Sequence, residues 1–157
     1  MSDHVDAKYV LTLDFDGVLH PFGSKGEALF RKMPTIHRLL EQYPAIKVIV
    51  HSSWRHFHDS DELGEMLFHD RPDLADRYLG VTPVQAMSRW ESILAWIKLN
   101  KPVSVCVLDD EPRMFPGHVP LGQDPRICFI ECPTTQGLAE NHPALDKWAR
   151  STLTEEP

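Results

Sequence analysis

The sequence predicts an α/β protein, with a mostly parallel sheet covered by helices on both faces, in a single domain over residues 1–157. Three observations predict it. Four short runs are almost wholly apolar, as strands buried on both faces of a parallel sheet must be. Segments with apolar residues at helical spacing alternate with them. Three of the four runs pass directly into acidic or hydroxyl-bearing residues, and the C-terminal edge of such a sheet is where ligands collect.

The first strand reads Tyr9 to Asp14. A loop from Gly17 to Gly26, with Pro21 in it, has the glycines to move over a site. Pro34 then opens a helix that places Ile36, Leu39 and Leu40 on one face. Pro44 ends it, and Ile46 to Val50 reads as the second strand. Helical segments are expected over Asp59–Phe68 and Asp73–Tyr78, separated by Pro72, with Gly80–Pro83 as a loop or short extended piece.

The clearest helix starts at Ser88, where Ser88 and Glu91 have the spacing of a capping box. Trp90, Ile93, Leu94 and Ile97 form its apolar face, and Asn100 with Pro102 stops it. Val103 to Leu108 is the third strand and runs into Asp109-Asp110. A long loop with Pro112, Pro116, Gly117, Pro120 and Gly122 follows. Ile127 to Ile130 reads as a fourth strand, and Pro143 to about Thr152 as an amphipathic helix with Leu145, Trp148 and Ala149 inward.

Composition excludes some functions. The formal charge of −7 leaves no basic excess for general binding to nucleic acid or an anionic membrane. No apolar stretch approaches the ~20 residues that span a bilayer. Three cysteines, an odd number, without a secretory leader, fit a reduced cytoplasmic protein. Cys106 reads as core, and Cys128 with Cys132 lacks zinc-site spacing. No obligate protein partner is evident.

The chemistry gathers at three strand ends. They carry Asp14 and Asp16, then His51-Ser52-Ser53-Trp54-Arg55, then Asp109-Asp110. Four carboxylates on one edge repel one another and hold protons more tightly. A hard divalent cation relieves that, and a set of oxygen ligands favours Mg²⁺. His51, His56 and His58 lack a matching partner set and read as solvated loop histidines, while Trp54 is the aromatic residue placed to line the site.

Asp14-Phe15-Asp16-Gly17-Val18, the apolar strand Val48-Ile49-Val50-His51-Ser52, and Val105-Cys106-Val107-Leu108-Asp109-Asp110 resemble, in order, the motifs of the haloacid dehalogenase (HAD) superfamily of phosphotransferases. The stretches Asp14 to Pro21, Ser52-Ser53-Trp54-Arg55, Leu79 to Pro83, Leu108-Asp109-Asp110 and Gly137-Leu138 resemble more narrowly the small HAD domains of bacterial Swiss army knife RNA-repair proteins. The resemblance implies a three-layer Rossmann-like HAD fold and a Mg²⁺-dependent phosphatase working through an aspartyl-phosphate. Asp14 would be the nucleophile and Asp16 the general acid and base. The Asp14 carboxylate, the Asp16 carbonyl and Asp109 would hold Mg²⁺, with Asp110 completing the acidic edge directly or through water. Ser52, or alternatively Ser53, would bind phosphate, with Arg55 as a further contact.

One motif departs from the family pattern. The family places a lysine, sometimes an arginine, near the start of the helix that leads into the acidic strand, and this chain offers Arg89 there to bind phosphate, with Lys101 as a poorer substitute at the wrong end. Gly17–Met33 and His56–Met87 are too short to hold a cap domain, so the site is read as capless or minimally capped; the resemblance then implies a large substrate, such as a nucleic-acid end. Two competing readings are a receiver-like phospho-acceptor and a catalytically quiet HAD-fold binding module. Receivers place the acid pair first and the acceptor later, the reverse of the order here.

Overall fold

A computed structural model describes residues 7–85, 88–115 and 125–153. Five parallel strands form one sheet in the order β3-β2-β1-β4-β5. They are β1 (Tyr9–Leu13), β2 (Ile46–Val50), β3 (Tyr78–Val81), β4 (Ser104–Asp109) and β5 (Ile127–Glu131). The helices are α1 (Met33–Gln42), α2 (Ser60–Phe68), α3 (Arg89–Asn100) and α4 (Pro143–Ser151).

Alternation along each strand sorts its side chains into two cores. Leu11 and Leu13, Val48 and Val50, Cys106 and Leu108 pack with Ile36 and Leu40 of α1, Leu63 and Leu67 of α2, and Trp148 of α4. Val10, Ile49, Val105 and Val107 point the other way, onto Trp90, Ile93, Trp96 and Ile97 of α3. The result is the expected three layers, with an all-parallel Rossmann-like sheet at the centre. No helix among the described residues is long and apolar enough to cross a membrane.

Register brings the site together. Leu13 is level with Val50 on one side and Leu108 on the other. The next residue on each strand, Asp14, His51 and Asp109, therefore emerges at the same height. Backbone bonds from Asp14 N to Leu108 O (3.1 Å), from His51 N to Leu13 O (3.0 Å) and from Cys132 N to Asp109 O (3.0 Å) extend the ladder past the strand ends. The acids thus start from fixed backbone.

Several sequence expectations need correction. The segment expected to be helical over Asp73–Tyr78 is a 3-10 turn over Pro72–Arg77, followed by the edge strand β3. The described residues of the 56–87 segment supply α2 and that strand and so belong to the core layers, which agrees with a capless or minimally capped site. Leu94 is 39% exposed, and Trp96 takes the inward place expected for it. The capping box of α3 forms as expected, between Ser88 and Glu91. Within the Gly17–Gly26 loop, Gly17 to His20 is buried and bonded, with Gly17 N on His20 O (2.8 Å) and Leu138 N on Val18 O (2.8 Å). Pro112 opens a short 3-10 turn, Pro112–Met114, whereas Pro116, Gly117, Pro120 and Gly122 lie outside the described residues.

Candidate active site

Asp14, Asp109 and Asp110 are all buried, and one carboxylate oxygen from each lies within 4.8 Å of the other two. Asp14 Oδ1 accepts the Phe15 backbone N–H at 2.8 Å. Its other oxygen accepts Arg89 Nη1 at 3.1 Å, and the same Nη1 donates to Asp109 Oδ2 at 2.8 Å. Arg89 is the first residue of α3, so the cap at Ser88 fixes the backbone from which this guanidinium reaches in. Lys101 closes the opposite end of α3 and is exposed.

The electrostatics of the three acids differ. Burial, then the neighbouring Asp109 charge, raises the Asp14 pKa well above the usual carboxylate range, although Arg89 and the Phe15 N–H pull it down. Burial and Asp109 also raise Asp110. Asp109 is lowered: burial opposes its charge, but the hydrogen bond from His51, the Arg89 charge and the Glu111 N–H together outweigh it. Three carboxylates face one guanidinium, so the cluster keeps an excess of negative charge. Closely spaced oxygen donors with that excess fit a hard divalent cation such as Mg²⁺.

His51 contradicts the reading of a solvated loop histidine. It is fully buried, with Nε2 2.8 Å from Asp109 Oδ2 and Nδ1 2.8 Å from Thr12 Oγ1. Burial lowers its pKa, with Asp109 opposing. A neutral ring then donates from Nε2 to Asp109 and accepts the Thr12 hydroxyl at Nδ1. The sequence signal was available: His51 follows an apolar strand without a break, at the same step as Asp14. Replacing it as His51→Leu leaves Asp109 and Thr12 each short of a partner. A loss of about 2–3 kcal/mol in urea unfolding is expected, because a stranded buried polar group pays its full desolvation penalty.

Ser52 is buried and caps the 3-10 turn Ser53–His56, its Oγ accepting Trp54 N at 3.2 Å. The hydroxyl hydrogen is not used in that bond. Ser53 is exposed on the turn itself. Arg55 is buried behind it, and its Nη1 donates to the carbonyls of His51 (2.6 Å) and Ser52 (3.0 Å). These two bonds brace the backbone that carries Ser52. His56 is exposed, whereas His58 stacks on Trp54 with ring centroids 5.6 Å apart.

Asp16 is set apart from the acidic cluster, its side chain 39% exposed. Trp54 Nε1 donates to its Oδ2 at 3.1 Å, and His20 Nε2 lies 2.8 Å from its Oδ1. His20, buried and named only within the Asp14–Pro21 motif, had no role assigned from sequence.

Gly17 explains the turn between these acids and the rest of the loop. Its φ is +82°, and a Cβ there would sit 2.1 Å from Asp110 Oδ2. Both the left-handed backbone and the missing side chain are required. Gly17→Ala is expected to lower stability by about 1–3 kcal/mol and to push Asp110 off the cluster. Urea unfolding checks the loss, and an unchanged midpoint contradicts it.

Residues 10–142 match the family described as "HAD domain in Swiss Army Knife RNA repair proteins". No curated protein and no solved structure matches the chain.

Proposed function

The chain belongs to the family of HAD domains in Swiss Army Knife RNA repair proteins, and on that premise we propose that it is a Mg²⁺-dependent phosphatase that forms an aspartyl-phosphate on Asp14. Membership supports a phosphatase-type hydrolase. The observation that carries the finer reading is the division among the acids: Asp14 is buried against Asp109 and Asp110, while Asp16 alone reaches outward.

Asp14, Asp109 and Asp110, with the Asp16 carbonyl, would hold the cation. When bound, Mg²⁺ neutralises charge on the phosphoryl oxygens and lets an anionic nucleophile approach an anionic ester. Arg89 shares that task and favours the charged form of Asp14 through its ion pair, against the larger opposing effect of burial. Asp14 attacks phosphorus, the ester P–O bond breaks, and Asp16 gives its proton to the departing oxygen. Water then attacks the phosphorus and Asp16 takes its proton. The bond from phosphorus to the Asp14 oxygen breaks, and inorganic phosphate leaves. Ser52 donates to a phosphoryl oxygen, with Arg55 bracing its turn and Ser53 outside the contact. We place the reaction in the cytoplasm, where three free cysteines stay reduced.

For the substrate we propose a phosphorylated nucleic-acid end. Phe22 is 69% exposed on the loop after β1, and Phe57 is 80% exposed on the loop after β2. Exposed aromatic faces on the loops that follow the two strands carrying Asp14 and Ser52 suit base stacking, worth about 1–3 kcal/mol per base. The net charge of −7 argues that stacking contributes more than phosphate contacts do.

The test is hydrolysis of p-nitrophenyl phosphate and of 3′- and 5′-phosphorylated oligonucleotides, each with Mg²⁺ or EDTA. Turnover is expected only with Mg²⁺, and equal rates in EDTA contradict the metal reading. Phe57→Ala should raise the oligonucleotide KM roughly tenfold and leave p-nitrophenyl phosphate unchanged. Equal KM values for both proteins on the oligonucleotides exclude Phe57 as a base platform.

A further inference from the structure

Both oxygens of Asp16 are held by N–H groups from rings that cannot turn away. An indole N–H can only donate, so Trp54 Nε1 gives its hydrogen to Oδ2. The role of His20 is set by its other nitrogen. Nδ1 of His20 lies 3.1 Å from the backbone N–H of Phe30 and must accept it. The ring hydrogen therefore sits on Nε2 and is donated to Asp16 Oδ1 at 2.8 Å. His20 is fully buried, so solvent does not compete at either nitrogen.

Phe30 delivers that N–H from an unusual backbone. Its φ is +60°, a left-handed conformation that is strained for an aromatic residue. Such strain persists only where the surroundings hold it. Here the Phe30 ring packs edge-on against Phe15, His20 and Trp54, with centroid separations of 5.4, 5.5 and 5.6 Å. The same ring cluster thus fixes both donors and the N–H that orients one of them.

We propose that His20 is a positioning residue for Asp16. With Trp54 it fixes the plane of the carboxyl group, so that the lone pairs not used in these bonds meet the leaving oxygen and then the attacking water. His20 acts as a neutral donor and not as a proton shuttle, because a relay needs Nδ1 and the Phe30 N–H occupies it. The proposal rests on the reading of Asp16 as general acid and base.

Leaving groups test it. Nitrophenolate departs without a proton, whereas the alkoxide of β-glycerophosphate needs one. For each substrate, the first half-reaction is followed as the burst of leaving-group release, in wild type, Asp16→Asn, His20→Ala, His20→Gln and Trp54→Phe. Asp16→Asn is expected to lose about 10²-fold or more on the alkyl ester beyond any loss on the nitrophenyl ester. His20→Ala is expected to show the same bias, roughly 10- to 100-fold, in the burst rate with KM little changed. His20→Gln, whose side-chain amide still donates, recovers most of it. Trp54→Phe keeps the ring, removes only the N–H, and shows a similar bias even if His20→Ala folds poorly. An Asp16→Asn protein without the bias overturns the reading of Asp16. A biased Asp16→Asn beside unbiased His20→Ala and Trp54→Phe overturns the positioning role alone, as does His20→Gln behaving like His20→Ala.

Discussion

Asp14→Asn is expected to abolish turnover, by about 10⁴-fold or more as for other removed nucleophiles, and yet to raise the melting temperature of the metal-free protein. Burial, then the Asp109 charge, raises the folded-state pKa of Asp14 well above its ordinary value, against the opposing pull of Arg89 and the Phe15 N–H. The folded state therefore binds this proton more tightly than the unfolded chain does. Stability falls as pH rises from the ordinary carboxylate value towards the raised one, so above the ordinary value this carboxyl group is a net burden on the fold. Asparagine has nearly the same shape and cannot ionise, so it removes that burden. Thermal melts in EDTA check the sign. The variant melts above wild type at neutral pH, and the gap closes as acid protonates Asp14. A variant that melts below wild type at neutral pH contradicts this assignment of the charge balance. Loss of function with gain of stability is the pattern expected where a site stores unfavourable electrostatics for its chemistry.

Arg89→Ala has the second large effect, and its sign in EDTA is opposite. One Nη1 serves both Asp14 and Asp109, and the side chain is only 18% exposed. Removing it leaves three buried carboxylates without their cation. Breaking such a pair from one side destabilises by about 3 kcal/mol, read as a lower urea midpoint in EDTA. Burial works against the charge on Arg89, but Asp14 and then Asp109 outweigh it and raise its pKa, so it stays charged across any practical pH. Mg²⁺ should restore a larger share of stability in the variant than it adds to wild type, because it becomes the main counter-charge. In kinetics, kcat/KM should fall about 10²- to 10³-fold, the range for losing one preorganised electrostatic group. Arg89→Lys should recover part of this, since an ammonium supplies charge without the planar fork. Unchanged kinetics in Arg89→Ala would mean that another group faces the phosphate.

The legible parts of this chain were those governed by local rules. Apolar runs, proline breaks and the Ser88–Glu91 cap located four strands and the four α-helices to within a residue or two. The convergence of Asp14 with Asp109 followed from parallel topology alone. The edge strand β3 was harder to read. Its four residues, Tyr78 to Val81, are all half-buried and show no alternation, Gly80 interrupts them, and the register with β2 shifts between Val48 and Ile49. Leu94, expected on the inward face of α3, is 39% exposed, while Trp96 is buried there.

The two histidines were missed for a different reason. Nothing in the local sequence of His51 says that Asp109, 58 positions away, will accept its hydrogen. Nor does the turn at His20 announce that Phe30 will adopt a left-handed backbone beside it. Both are partnerships between elements. They exist only once the strand ends and the ring cluster are assembled, and they hold the carboxylates that the sequence did reveal.

The most direct measurement is chemical trapping of the covalent intermediate. The protein, turning over p-nitrophenyl phosphate with Mg²⁺, is quenched in acid, digested and mapped by peptide mass spectrometry. One phosphoryl group on Asp14, lost on treatment with hydroxylamine and missing in Asp14→Asn, is the predicted result. A phosphoryl group on any other residue, or none while turnover proceeds, would contradict it.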